Sequence, residues 1–233
     1  MTVTLITGAN KGLGYETARR LVAQGHTVYV GARSTERGEA AAGRLGARFV
    51  RLDVTDDDSV RSALNVIEEA EGRLDVLVNN AGTTGGPPGA EGITGAGALR
   101  VFDTNAIGVV RTTQAALPLL RKSDNPVVVN VSSGLGSFWA VTNPGLMESR
   151  DAYVVYAASK AAVSMLTVQY AKALPGFKVN AVEPGYTATD LSGGPGNGGR
   201  PVEENAEVIV RMATLGPDGP TGTFQQNSGE LPW

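Results

Sequence analysis

Short apolar runs alternate along the chain with segments whose apolar residues recur every three or four positions. TVTLIT at 2–7 reads as a buried strand, and GLGYETARRLVAQ at 12–24 as a helix ended by Gly25. The same alternation predicts strands at 27–31, 47–53, 74–80, 126–133, 177–184 and, briefly, 221–224. Helices are expected near 35–45, 56–71, 97–120, 152–174 and 201–213. Pro118 falls near the end of the long fourth helix, where a proline disrupts least. Strands separated by helices need crossover connections, hence parallel pairing. The pattern predicts an α/β fold: a doubly wound parallel sheet (Rossmann fold) of about seven strands flanked by helices, in a single domain over 1–233.

Composition narrows the function. Hydrophobic residues make up 42% of the 233, enough for a packed core. The net charge is −3 with no basic block, which argues against nucleic acid or a membrane surface as partner. No apolar run approaches the ~20 residues of a membrane span, and MTVTLITGANKG lacks the apolar segment of a signal peptide. The cytoplasm is the expected compartment. With no cysteine, disulfides, thiolate nucleophiles and cysteine metal sites are excluded. The sole histidine, His26, reads as a solvated turn residue, so a histidine triad or multi-histidine metal site is excluded too. No metal is expected. Among the 31 glycines, the densest run is LSGGPGNGGRP at 191–201. It reads as a mobile cover over a site or as a plain surface loop.

TGANKGLG, at 7–14, follows the first strand and opens the first helix. Gly8, Gly12 and Gly14 let backbone N–H groups approach a pyrophosphate, and a helix N-terminus favours its charge. A tight turn without a ligand is the plainer alternative. After the second strand, VYVGARSTER has no acid where an NAD ribose would be held. Arg33, Arg37 and Lys11 are cations suited to a 2′-phosphate, which favours NADP over NAD. Asp53, after the third strand, either accepts a hydrogen bond from adenine or caps the helix starting near Asp56.

DAYVVYAASKAAV, at 151–163, holds two tyrosines and a lysine. Tyr156 and Lys160 are four apart on a helix and share a face; position 157, four after Tyr153, is Ala157. An ammonium beside a phenol lowers its pKa, which suits Tyr156 to acid–base work. Ser132 and Ser133 end the fifth strand at the edge where open α/β sheets bind ligands, and a hydroxyl there can hold a substrate carbonyl. Asn105 lies in a long helix, where asparagine is a poor former. Its amide either organises a water chain to Lys160 or is a buried structural group.

Taken in order, TGANKGLG (7–14), LDV (52–54), NNAG (79–82), TNAIG (104–108), NVSS (130–133), YAASK (156–160) and VEPGYTATD (182–190) resemble the short-chain dehydrogenases/reductases over the whole chain. TGANKG, GARSTERG and PTGTF…GELPW look most like the carbonyl-reductase branch. The resemblance implies an NADP(H)-dependent oxidoreductase acting on a carbonyl or alcohol. Tyr156 would give the proton, Lys160 would assist it and hold the nicotinamide ribose, Ser133 would position the carbonyl, and Asn105 would maintain the relay. Cofactor contacts would come from Gly8, Asn10, Lys11, Gly12, Leu13 and Gly14, then from Asp53 and Val54. Asn79, Ala81 and Gly82 would flank the adenosine ribose. Pro184, Gly185 and Thr187 would border the nicotinamide, with Thr189 close by.

Tyr156 follows Ser133 by 23 positions, so residues 138–152 look like a modest insertion beside the site. In the carbonyl-reductase branch such an insertion can cover the helix face used for oligomer contacts, so monomer and homodimer both stay open. The substrate pocket is expected from 83–97, 134–152 and 186–200, with Phe138, Trp139, Leu146, Met147, Tyr186 and Leu191, which suggests an apolar carbonyl compound. Two other readings stay open: a non-catalytic NADP-binding regulator, and an epimerase or dehydratase on the same fold.

Overall fold

β1 (Val3–Thr7) is buried along its whole length. A strand apolar on both sides belongs inside a sheet covered on both faces. The computed structural model, which describes residues 1–192, 194 and 198–233, places it there. The elements follow in the order β1, α1 (Gly12–Ala23), β2 (Thr27–Ala32), α2 (Thr35–Leu45), β3 (Arg48–Arg51), α3 (Asp57–Glu71) and β4 (Val76–Asn79). Then come α4 (Gly95–Phe102), a π-helical turn (Asp103–Ile107), α5 (Gly108–Leu120), β5 (Val127–Val131), α6 (Phe138–Val141), α7 (Val154–Ala173) and β6 (Lys178–Glu183). α8 (Val202–Asn205), α9 (Glu207–Ala213), β7 (Phe224–Gln226) and β8 (Gly229–Glu230) follow.

The strands form one sheet in the order β3-β2-β1-β4-β5-β6-β7-β8, parallel except for the last pair. Successive residues of each strand feed opposite faces, as a period of two requires. Leu5, Leu77, Val128 and Val179 pack with Val60, Ile67 and Leu120 of α3 and α5. Ile6, Val78, Val129 and Val182 pack with Leu21, Ala41 and Ile209 of α1, α2 and α9. Each fully buried leucine or valine is worth roughly 1.5–3 kcal/mol, so these two layers carry the sheet.

Local signals set the helix ends. Asp56 caps α3, its Oδ1 accepting from Asp58 N at 2.9 Å and Ser59 N at 3.1 Å. Gly46 and Gly72, at φ of 66° and 72°, end α2 and α3 in the left-handed region.

Four expectations shift. The long helix at 97–120 is broken by the π-helical turn at Asp103–Ile107, whose wider i→i+5 winding sits where Asn105 must reach Thr83 and Ser159. The last helix divides into α8 and α9. The final strand begins at Phe224, because Val179 N and Thr223 N donate to the side-chain oxygens of Thr221 and Asn180 rather than to ladder carbonyls, and a two-residue antiparallel β8 makes the sheet eight-stranded. His26 is half-buried, its Nδ1 sharing a hydrogen bond with Thr4 Oγ1 at 2.9 Å, and burial lowers its pKa. Among the described residues no helix is long and apolar enough to cross a membrane.

Candidate active site

Strand order reverses between β1 and β4, and the chain leaves both strands at the same sheet edge. Such a switch point opens a crevice at the carboxyl ends of the strands. Thr7 Oγ1 accepts from Asn80 N and Ala81 N, each at 3.0 Å. Asn80 Nδ2 returns to Thr7 O at 2.8 Å and Gly8 O at 3.2 Å. The glycine turn is thus stapled to the end of β4. Gly14 admits that close approach: a Cβ there would stand 2.5 Å from Asn80 Nδ2 and 2.9 Å from Gly8 O. Lys11, at the N-cap of α1, makes no side-chain cap, so the helix presents its first N–H groups to the crevice.

Beside this turn a cleft of about 330 Å³ is lined by Asn10, Lys11, Arg37, Ala40, Arg44 and Asp190. Arg37 and Arg44 share its wall, whereas Arg33, exposed after β2, is not among the lining residues. Arg44 is a residue the sequence reading missed. Its signal was the spacing of 37, 40 and 44, which sets three side chains on one helix face. Lys11 is not a free cation: its Nζ pairs with Asp190 Oδ2 at 2.6 Å, between exposed partners. An acid therefore stands among the cations after all, supplied from a segment remote in sequence. A second cleft, of about 400 Å³, opens around Met1, Asp75 and Lys122 at the opposite sheet edge, away from this constellation.

The other expected cofactor residues divide. Asp53 neither caps α3 nor faces outward freely: its Oδ1 accepts from Thr55 N at 3.0 Å and Thr55 Oγ1 at 2.8 Å. Val54 packs on Gly108, and its carbonyl accepts from Arg111 at 2.9 Å. Asn79 points into the core, donating to Asn130 Oδ1 at 2.8 Å and Thr113 Oγ1 at 3.2 Å, and accepting from Thr112 Oγ1 at 2.6 Å. Its side chain does not reach the crevice; Asn80 does that work. Thr187 Oγ1 donates to Gly185 O at 2.7 Å and accepts from Asn205 Nδ2 at 2.8 Å. Thr189 lies over the glycine turn, 3.4 Å from where a Gly12 Cβ would stand. Of the glycine-rich cover expected at 191–199, residues 193 and 195–197 lie outside the described residues.

β5 and α7 bring the candidate catalytic residues together. Ser133, just past β5, accepts from Leu135 N at 3.3 Å and stands near enough to Tyr156 for its hydroxyl to favour the phenolate. Ser132 is turned away, donating to Lys160 O at 3.1 Å. Lys160, 4% exposed, stands with Nζ 5.7 Å from the Tyr156 ring centroid and donates to Val131 O at 2.7 Å. Tyr153 meets Tyr156 edge-on, with centroids 6.3 Å apart. Asn105 is saturated by protein: Oδ1 accepts from Thr83 N at 2.8 Å, and Nδ2 donates to Thr83 O at 2.8 Å and Ser159 Oγ at 2.9 Å. A Cβ on Gly82 would stand 3.4 Å from Asn105 Oδ1 and 3.6 Å from Lys160 Nζ, so Gly82 roofs their junction.

The electrostatics differ from the sequence expectation. Burial raises the Tyr156 phenol above its ordinary value, and negative Glu183 adds to this; the nearby Ser133 hydroxyl opposes both. Lys160 does not reverse the shift, because burial pulls its own ammonium down to about 8 against the attraction of Glu183. Glu183 is the residue no motif reading singled out. Burial lifts its carboxyl to about 7, although Gly134 N and Gly185 N both donate to it.

The inserted segment forms α6 and a 3₁₀ turn at Met147–Ser149. Ser137 Oγ donates to Pro232 O at 2.7 Å, Trp139 N donates to Trp233 O at 3.2 Å, and Trp233 stacks on Phe224. Phe138, Met147 and Tyr186 are 73%, 51% and 42% exposed, an apolar surface on the segments flanking the centre.

Comparison with known proteins places this geometry. The model of the short chain dehydrogenase family matches residues 2–195. A (+)-neomenthol dehydrogenase of Capsicum annuum is 30% identical over 296 aligned positions, covering 94% of each chain. The structure of an NADPH-bound carbonyl reductase from chicken fatty liver superposes with a TM-score of 0.86 at 26% identity, covering 100% of both chains. A 3-ketoacyl-(acyl-carrier-protein) reductase from Brucella melitensis, complexed with NADH, gives 0.84 at 25% identity, covering 96% of this chain and 95% of its own. With a family match across most of its length and a relative 30% identical over nearly all of it, the chain belongs to the short-chain dehydrogenase/reductase family of oxidoreductases.

Proposed function

We propose that the protein is an NADPH-dependent reductase of an apolar carbonyl compound. The observation that carries this reading is the cluster of Ser133, Tyr156 and Lys160 at the carboxyl edge of β5, beside the glycine turn. The Tyr156 hydroxyl, beside Ser133 and Lys160 and protonated as any phenol is at neutral pH, can give a proton to a carbonyl oxygen. The Ser133 hydroxyl, near Tyr156, would share the carbonyl oxygen with it. Lys160 would hold the nicotinamide ribose and stabilise the phenolate left after proton transfer. Asn105 would act through Ser159 and Thr83, fixing α7 against the loop after β4.

NADPH, when bound, supplies the hydride. The residues present fit it: Gly8, Gly12 and Gly14 with the uncapped α1 terminus suit a pyrophosphate, and Arg37, Arg44 and Lys11 suit a 2′-phosphate. Ala81, Gly82, Asp53 and Val54 would border the adenosine, and Pro184, Gly185, Thr187 and Thr189 the nicotinamide. The apolar surface of Phe138, Met147 and Tyr186 supports an apolar substrate, in keeping with the neomenthol dehydrogenase relative.

The test is a panel of ketones and aldehydes followed by NADPH and NADH absorbance. NADPH oxidation with an apolar ketone is expected. Arg37→Ala and Arg44→Ala should each raise the NADPH KM at least about tenfold, as loss of a charge-assisted contact of ~1.5–3 kcal/mol implies. Arg33→Ala should change it less, and NADH kinetics should hardly move. Equal losses for both cofactors would remove the 2′-phosphate assignment. Substrate conversion with no net change in NADPH would instead indicate epimerase or dehydratase chemistry.

A further inference from the structure

We propose that Glu183 is a positioning residue that ties the turn carrying Ser133 to the turn at Pro184–Gly185, setting the carbonyl-binding hydroxyl in register with the nicotinamide side of the site. The proposal rests on the reductase reading above.

β5 and β6 pair up to Val131 and Val182, and Ser132 N donates to Val182 O at 2.9 Å. Beyond that point the two chains leave the ladder, and no further backbone bond joins them among the described residues. Both turns carry site residues, yet neither is held by the sheet. Glu183, the last residue of β6, spans the gap. Its Oε2 accepts from Gly134 N, directly after Ser133, and its Oε1 accepts from Gly185 N at 2.7 Å. Pro184 has no N–H, so Gly185 supplies the first backbone donor past the strand end. Gly185 itself adopts φ 88° and is fixed from the far side by Thr187 Oγ1 on its carbonyl at 2.7 Å.

Two converging N–H groups call for two acceptor oxygens. A carboxylate has both; an amide of the same shape has one, and turns its NH₂ toward the other donor. The groups acting on Glu183 are Lys160, which attracts it, Glu148, which repels it, and Tyr156, which feels its charge. Glu148 also closes the other side of the turn, since a Cβ on Gly134 would meet its side chain at 2.9 Å. The carboxylate is therefore confined between α7 and the inserted segment.

The experiment compares Glu183→Gln in the parent chain and in Ser133→Ala, at saturating NADPH and ketone. A misplacement of about 1 Å can cost on the order of 100-fold, so kcat should fall ~10–100-fold in the parent. In Ser133→Ala the further loss should stay below ~3-fold, because residues acting through one another are not additive. Backbone amides at 134 and 185 should exchange with solvent at least ~10-fold faster in Glu183→Gln, with the core strands unchanged. Equal losses in both backgrounds, an unchanged kcat or unchanged exchange would each overturn the proposal. If Glu183→Gln does not fold, Glu183→Asp carries the same comparison: it keeps the charge but is one methylene too short to reach both N–H groups. An inactive parent chain would refute the reductase reading, and the exchange comparison would then decide the tie by itself.

Discussion

Tyr156 and Tyr153 stand edge to edge, and their surroundings assign them different work. Tyr156 stands near Ser133 and lies under Lys160; Tyr153 has neither neighbour. Tyr156→Phe should lower kcat by about 10²–10⁴ while leaving NADPH binding nearly intact, the usual worth of a positioned acid or base. Tyr153→Phe should be mild. Steady-state assays of both at saturating cofactor decide the matter; the reverse ranking would sink the assignment. The sequence made the closeness of Tyr156 and Lys160 readable because a helix converts a spacing of four into proximity. It did not make the charges readable. Spacing says that Lys160 is near Tyr156, but only burial decides that the phenol is pushed up and the ammonium down. Glu183 escaped notice for a related reason: its importance comes from two backbone N–H groups, one of them about fifty positions away in the chain.

At the scale of elements, the glycine turn and its helix are the clearest case of local fit. Gly14→Ala should cost about 1–3 kcal/mol of stability, since its Cβ would meet Asn80 and Gly8 in a turn that cannot open. Gly43→Ala, on the exposed face of α2 with nothing within 4 Å, should instead stabilise by roughly 0.5–1 kcal/mol. Chemical denaturation of both variants checks the pair; similar effects would mean that backbone entropy, not close approach, governs Gly14. Strands and helices followed from their periods because each strand from β1 to β6 is closed in by apolar layers. The misjudged elements are those decided by side chains rather than by period. Asn105 recruits a π turn, Thr221 and Thr223 delay β7, and Asn79 turns inward to Asn130 and Thr112. Hydrogen-bond partners from other elements leave no periodic trace.

The whole molecule responds to pH through the same centre. Glu183 is raised to about 7 in the folded chain, so folding favours its protonated form relative to the unfolded chain, and the two-acceptor carboxylate of the tie predominates above that pH. Its contribution to stability is present below about 4.5, the unfolded carboxyl range, and is lost as pH rises through 7. The melting temperature of Glu183→Gln, minus that of the parent, should therefore be more positive at pH 8 than at pH 5. A pH-independent difference, measured without cofactor, would show that the carboxyl does not titrate in this range. A different division of labour appears at the outer end of the crevice. The apolar surface of α6 is anchored to Pro232 and Trp233, and the loop after β4 is joined to the insertion through Gly89 N and Ala152 O. None of these bonds involves the glycine turn or the arginine cleft. On the proposed reading, the segments that would choose a substrate can thus drift, lengthen or be exchanged while those that would hold the cofactor stay as they are, and one lineage of sheets can serve many molecules.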